Sequence, residues 1–371
     1  MYLQTILVKP ASSQCSMSCD YCFYCDEAAK RTHGSYGIMA EDTLRNLIKK
    51  SLFQAVSHIC FAFQGGEPTL CGLHFFENVI AYEQQYNRRN VKILNTLQTN
   101  GLHLDESWCK FFKDHEFLIG ISLDGTQETH DQCRHTKSGL PTYDRVRSSI
   151  RLLEKYQVEF NILTVVNAYT APHIRDIYTD YKRNGWKYQQ YIPCLAPLGE
   201  EAAVRPYTLT PKLYGEFLCR LFDLWYKDWK RGKAPYIRDF ENYIGILLGH
   251  LPEACSQRGV CSIQGVAEAD GSVYPCDFYA LDEYRLGNFN EHRVAELLES
   301  EKARLFIAES QKTSSVCRAC EYYILCRGGC RRTRVKDPGT DTYRSCFCES
   351  YRTFFGYAGS RMREIAKFLA W

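Results

Sequence analysis

Nineteen cysteines in a chain of 371 residues constrain this protein more than any other feature of its sequence. The count is odd, and the N-terminal MYLQTILVKPASSQC has no charged region leading into a long apolar stretch, so no secretory signal is expected. Disulfide frameworks belong to exported proteins, whereas cytosolic thiols are kept reduced; the expected location is therefore the cytoplasm. So many reduced thiols point to ligation of metal or clusters, with the remainder as small buried hydrophobes. Bulk charge excludes other classes of partner. The 46 basic and 43 acidic residues leave a net charge of +3, too balanced to imply nucleic acid or a membrane surface. No apolar run approaches the ~18 residues of a membrane span.

From about residue 4 to residue 195, short apolar runs alternate with amphipathic stretches. Strands are expected at 4–9, 59–63, 93–98, 117–123, 158–166 and 187–192, and helices near 41–57, 73–88, 105–115, 142–156 and 171–184. In the first helix Leu44, Leu47, Ile48 and Leu52 share one buried face. Strands separated by crossover helices pair in parallel, and six units are too few for a closed eight-strand barrel. The fold class is α/β, a partial barrel or an open parallel sheet, with its site at the C-terminal ends of the strands. After Leu195 the rhythm breaks: 196–209 reads as a connector, and helices are expected near 210–231 and 236–249. From Cys255 onward the chain is cysteine-dense, with a hairpin signal at Asp270-Gly271 and a closing helix from Glu349 to Trp371.

Cys15, Cys19 and Cys22 form C-x3-C-x2-C in the loop after the first strand. Three thiolates so placed hold three irons of a cubane cluster and leave the fourth iron open to a substrate. Zinc is the alternative, with Cys25 as fourth ligand. Gly65-Gly66-Glu67-Pro68 leaves the second strand at the same end of the sheet; its glycines permit close backbone approach, and Pro68 fixes the turn.

The cysteine loop, the aromatic Phe23 and the GGEP turn together resemble the radical S-adenosylmethionine superfamily. In that superfamily the open iron chelates S-adenosyl-L-methionine, and one electron releases a 5′-deoxyadenosyl radical that abstracts a hydrogen atom. The chemistry is the cofactor's, and the protein supplies position and exclusion of water.

Farther along stand Cys255, Cys261 and Cys276, then Cys317, Cys320, Cys326 and Cys330 as C-x2-C-x5-C-x3-C, and finally Cys348. Eight thiols suffice for two four-iron clusters, and spacing alone leaves two zinc sites open. The arrangement is similar to the SPASM extension of the superfamily. That resemblance implies auxiliary cluster I on Cys255, Cys261, Cys276 and Cys330, and cluster II on Cys317, Cys320, Cys326 and Cys348, for three 4Fe-4S clusters in all. It also implies a partial (β/α)6 TIM-like barrel over 1–232 and a cysteine-rich SPASM domain over 233–371.

The likeness covers nearly the whole chain. With SYGIM (35–39), FAFQGGEPTL (61–70), LQTNG (97–101), DGSVYPCDFY (270–279) and LCRGGCRR (325–332), the sequence resembles the anaerobic sulfatase-maturating enzymes, which oxidise a sulfatase cysteine or serine to Cα-formylglycine. The resemblance implies S-adenosylmethionine contacts at Tyr21, Gly66, Ser122, Arg134 and Leu195, and makes Asp277 the proton acceptor. The partners it implies are a sulfatase polypeptide and an external electron donor of the flavodoxin or ferredoxin type. Each contact has a plainer reading: packing for Tyr21 and Leu195, a turn for Gly66, solvated loop for Ser122 and Arg134, a turn cap for Asp277.

Gln64 and Gln98 end the second and third strands, as donors to a substrate backbone or as core-rim glutamines. Arg327, Arg331, Arg332 and Arg334 either offset cluster charge or form a solvated face. Eight cysteines remain outside the ligand sets: Cys25, Cys60, Cys71, Cys109, Cys133, Cys194, Cys219 and Cys346. Cys346 competes with Cys348 for one ligand position, and Cys194 stands beside Leu195, where a reactive thiol would be conspicuous. The rival activity is a SPASM-type maturase that cross-links a ribosomal peptide; only 14 residues precede Cys15, which disfavours an added leader-binding domain. A non-catalytic zinc or electron-transfer protein is the rival from another class, and the GGEP turn speaks against it.

Overall fold

The structure, a computed structural model, describes residues 5–200 and 204–370. Residue 4 of the first expected strand, 201–203 of the connector and residue 371 of the closing helix lie outside them. The chain forms two compact units. One runs to Ser122 and includes Arg134–Phe160 and Ser262–Phe306; the other holds Leu123–Cys133, Asn161–Cys261 and the chain from Ile307 onward.

In the first unit β1 (Thr5–Val8), β2 (His58–Phe63), β3 (Lys92–Thr99) and β4 (Leu118–Ser122) pair in parallel, as their alternation with helices requires. Alternate residues of β2 are buried, and Phe63, Phe76, Trp108, Phe112 and Phe117 stack behind the sheet with centroids 5.2 Å (Phe63–Phe76) and 5.4 Å (Phe76–Trp108) apart. Leu44, Leu47, Ile48 and Leu52 of helix Glu41–Gln54 are all buried, each worth roughly 1.5–3 kcal/mol.

The first strand has a second neighbour that local pattern does not reveal. After β5 (Phe160–Val166), β6 (Tyr188–Pro193) and β7 (Tyr236–Ile237), the strand β8 (Val266–Ala267) returns to pair in parallel with β1, Leu7 opposite Val266. Next, β9 (Ser272–Tyr274) and β10 (Gly287–Asn288) extend the sheet antiparallel. The expected Asp270-Gly271 hairpin forms, but its loop is three residues long, closed by Glu268 N–H to Ser272 O at 2.9 Å with Gly271 at φ +86°. Glycine takes that left-handed position at no steric cost.

In the second unit β5, β6 and β7 are parallel neighbours. The helix expected near 236–249 starts later, at Arg238, because Tyr236 and Ile237 pair with the edge of β6, the Tyr188 and Tyr236 rings 5.8 Å apart. Helices Pro211–Trp229, Arg238–Leu247 and Cys348–Leu369 share an aromatic core in which Phe222, Trp225, Phe240 and Phe354 lie 5.2–5.8 Å apart. A small ribbon, β11 (Arg334–Lys336) with β12 (Tyr343–Ser345), stands between the last cysteines.

One buried carboxyl makes stability depend on pH. Glu83 accepts from Asn95 Nδ2 at 3.0 Å, while Glu83 Oε1 and Asn95 Oδ1 have no hydrogen-bond partner among the described residues. Burial pushes its pKa from 4.5 up to about 7. The unfolded chain ionises this group first, so its contribution to stability is present below the unfolded pKa and is lost as pH rises through about 7. Glu83→Gln is expected to raise stability above pH 7, by up to about 3 kcal/mol, and by progressively less as pH falls towards 5. Thermal melts of the metal-free protein across that range test it.

Candidate active site

The cysteine loop leaves β1 and is bound backbone to backbone to the GGEP turn: Glu67 N–H donates to Gln14 O at 2.7 Å. Gly66 sits at φ +53°, and a Cβ there would lie 2.1 Å from Gln14 O and 2.9 Å from Ser12 O, so no other residue fits. Buried Glu67 ties the two loops to β3. Its Oε1 accepts from the Thr69 and Thr99 hydroxyls at 2.7 and 2.8 Å, and its Oε2 from Asn100 N–H at 2.7 Å. Asn100 Nδ2 in turn reaches Cys15 Sγ at 3.5 Å.

The loop supplies soft donors at one place. Cys25 lies close enough to hydrogen-bond Cys22 and lowers the pKa of the Cys22 thiol, while burial pushes Cys15 up. A cavity of about 290 Å³ lined by Ser13, Cys15, Met17, Ser18, Cys25 and Lys137 opens beside these thiols. Three loop thiols and a side-chain-free glycine cradle fit a cluster of the kind the motif implies. They leave Cys25, at the exposed start of helix Phe23–Ala29, as an extra neighbour.

Asp277 follows β9 by three residues and is 7% exposed. Its Oδ2 accepts from Tyr24 Oη at 2.6 Å and from Gln64 Nε2 at 2.7 Å, while Oδ1 is buried with no partner among the described residues. Burial raises its pKa, and the Lys9 ammonium and the two hydrogen bonds oppose the rise. Lys9, itself buried, lies 2.9 Å from Glu268 Oε1, 3.8 Å from Glu27 Oε2 and 4.8 Å from the centre of the Tyr24 ring. Arg31 pairs with the same oxygen, Glu268 Oε1. Burial raises the pKa of Glu27, and the Lys9 and Arg31 charges oppose the rise.

Gln64 Nε2 donates to Asp277 Oδ2 at 2.7 Å and to Tyr24 Oη at 2.9 Å, whereas Gln98 gives one N–H to Ser122 Oγ at 3.0 Å. Arg134 is buried, not solvated, and donates to Tyr21 Oη at 2.9 Å, brought there because the cysteine loop pairs with this segment through Met17 and Thr136. Gly66 stands just beyond β2 and Ser122 at the end of β4, while Tyr21 lies in the cysteine loop that follows β1. Leu195, half-buried, follows β6 in the second unit. Tyr24, Glu67, Lys9 and Asn100 escaped sequence reasoning; Tyr24 had a local signal, standing two residues after Cys22.

In the second unit the thiols fall into two electrostatic groups. Cys317, Cys320 and Cys348 all raise Cys326, which burial above all pushes up to about 12. Cys255 and Cys261 likewise add to the burial that puts Cys330 at about 12. Cys276 stands in the first unit, directly before Asp277. Cys346 follows β12, its N–H donating to Thr333 O at 2.7 Å. The Cys194 thiol is buried and pushed up to about 12, the opposite of a reactive one. Arg332 and Arg334 are not a solvated face: Arg332 donates to Ala196 O at 2.6 Å, and Arg334 binds four carbonyls.

Residues 10–180 match the family described as the radical SAM superfamily, and 261–321 match the iron-sulfur cluster-binding SPASM domain. A cysteine-type anaerobic sulfatase-maturating enzyme of Clostridium novyi is 43% identical over 99% of this chain and 98% of its own. A serine-type enzyme of Bacteroides thetaiotaomicron is 31% identical over 98% of this chain and 91% of its own. The solved structure of native anSMEcpe with bound AdoMet and Cp18Cys peptide superposes with a TM-score of 0.93 at 44% identity, covering 99% of both chains. On this likeness, which spans both units and all three cysteine groups, the chain belongs to the anaerobic sulfatase-maturating enzymes of the radical SAM superfamily.

Proposed function

We propose that the protein oxidises the active-site cysteine of a sulfatase segment to Cα-formylglycine, with Asp277 as the group that takes the thiol proton. Cys15, Cys19 and Cys22 hold one 4Fe-4S cluster. Cys255, Cys261, Cys276 and Cys330 hold a second, and Cys317, Cys320, Cys326 and Cys348 a third, the C-terminal ones within a domain spanning 233–371. Tyr21, Gly66, Ser122, Arg134 and Leu195 bind S-adenosyl-L-methionine. Bound together, these groups supply hydrogen-atom abstraction and uptake of one electron.

The carrying observation is the carboxylate of Asp277. Tyr24 and Gln64 fix it through Oδ2, which leaves the buried Oδ1 without a hydrogen-bond partner among the described residues. As the substrate Cβ loses a hydrogen atom and then an electron, Sγ must lose its proton for the C=S bond to form; hydrolysis then releases sulfide and leaves the aldehyde. A fixed base with one free oxygen meets that demand without searching for its orientation. A thiol, with pKa ~8.5, is far easier for one carboxylate to deprotonate than a serine hydroxyl. The higher identity to the cysteine-type relative agrees with this preference.

Anaerobic assays with paired peptides differing only in Cys or Ser test the preference. The cysteine peptide is expected to turn over faster by about tenfold or more, a difference of ~1.4 kcal/mol in barrier. Faster conversion of the serine peptide would overturn it. We assign the electrons to an external donor of the flavodoxin or ferredoxin type and the location to the cytoplasm, the compartment that keeps this many thiols reduced.

A further inference from the structure

Between Cys326 and Cys330 the backbone does something costly. Arg327, Gly328 and Gly329 all adopt positive φ, at 48°, 82° and 70°. For an arginine this left-handed conformation costs about 1–2 kcal/mol. Gly259, two residues before Cys261, is left-handed as well, at φ +76°, and packs so closely on Arg327 that a Cβ would lie 2.8 Å from the Arg327 Cβ. What these turns accomplish is visible at Arg334. Its Nε donates to Gly328 O at 3.0 Å and its Nη2 to Gly329 O at 2.9 Å and Gly259 O at 3.2 Å. Its Nη1 donates to Ser310 O at 2.5 Å. Three of the four carbonyls belong to left-handed glycines.

Ser310 extends the clasp, its Oγ accepting from Cys261 N–H at 2.9 Å. Arg334 itself opens β11, where it faces Ser345 of β12, three residues before Cys348. Tyr343 of the same strand accepts from Ser314 N–H at 3.0 Å, three residues before Cys317. The guanidinium thus joins the segment carrying Cys255 and Cys261, the segment carrying Cys326 and Cys330, and Ser310, seven residues before Cys317, while the backbone pairing of β11 with β12 adds the segment of Cys348.

We propose that Arg334 is a positioning residue whose side chain clasps three backbone segments next to ligand cysteines of the second unit and so fixes the cysteine constellation that takes up the auxiliary clusters, through directed hydrogen bonds and not through its charge. The inference rests on the assignment of these cysteines as cluster ligands. Lysine keeps the charge but offers three donors from one point, whereas the planar guanidinium spreads five over a fork. A lysine ammonium cannot hold three separate segments at once.

The experiment compares iron content and absorption after anaerobic reconstitution of the full-length wild type, Arg334→Lys, Arg334→Gln, and Phe240→Leu as a variant weakened in the aromatic core of the same unit. Wild type should hold about 12 irons, and both Arg334 variants about threefold fewer, retaining the N-terminal cluster. Phe240→Leu should keep its iron. Full iron in Arg334→Lys would show that charge suffices and overturn the clasp. Equal iron loss in Phe240→Leu would reduce it to general destabilisation and overturn it too. A wild type holding only about four irons would instead overturn the ligand assignment on which the clasp depends. Melting of each metal-free variant identifies any that fails to fold, and there iron is read against Phe240→Leu at matched melting temperature.

Discussion

Asp277→Asn is expected to lower formylglycine formation by roughly 10²–10⁴-fold, the usual contribution of a positioned general base, while cleavage of S-adenosylmethionine to 5′-deoxyadenosine persists. The asparagine keeps the size of the side chain and can still accept from Tyr24 or Gln64, so the 2.6 and 2.7 Å contacts that order this corner have a substitute. What disappears is the capacity to take a proton. The separation of the two products is the informative part. A variant that loses both would place Asp277 in the support of the neighbouring Cys276, proposed as a cluster ligand, or of the fold, and a variant that loses neither would remove it from the reaction. Product analysis by mass spectrometry distinguishes the three.

Gly66→Ala is expected to fail one step earlier, abolishing 5′-deoxyadenosine itself by at least about 10²-fold. The added methyl would lie 2.1 Å from Gln14 O and 2.9 Å from Ser12 O, both backbone atoms of the cysteine loop, in a left-handed conformation that already costs about 1–2 kcal/mol. Neither oxygen can rotate aside, so the loop must move as a body, and Cys15 lies next to Gln14. Gly139→Ala is the control: φ is +79°, but nothing lies within 4 Å of the added carbon. It carries the same conformational strain without the collision, and its 5′-deoxyadenosine yield should be close to that of wild type. Equal losses in both variants would show that strain, not loop contact, is what matters at Gly66.

Much of this was readable in the sequence because it is local. The parallel strands and their helices follow from apolar runs alternating with amphipathic stretches, and β2 and helix Glu41–Gln54 bury the residues their periods predict. The GGEP turn announced a close backbone approach, and Gly66 makes one. Long-range pairing was not readable. Nothing local in Val266–Ala267 says that it returns to β1, yet this parallel pairing is what sets Glu268 beside Lys9, 259 residues away in sequence. The buried charge group of Lys9, Glu27, Arg31, Glu268 and Asp277 could not be read either, because each member looks like a surface residue until the fold removes water from it. Gln64 and Gln98 were legible as polar residues at strand ends, but their partners, Asp277 and Ser122, come from other segments. The arginines after Cys326 illustrate the limit of charge runs. A stretch that reads as a solvated face instead has Arg332 and Arg334 holding loops together.

The central claim, radical oxidation of a sulfatase cysteine at a site where Asp277 collects the proton, is met most directly by one anaerobic assay. The reconstituted protein, S-adenosylmethionine, a reductant and a cysteine-type sulfatase peptide are mixed, and aldehyde and 5′-deoxyadenosine are counted in the same sample. The account predicts one aldehyde for each 5′-deoxyadenosine, with sulfur lost from the peptide. Continued 5′-deoxyadenosine with a peptide that loses hydrogen but keeps its sulfur would contradict it, and would mark the protein as a cross-linking maturase on the same scaffold.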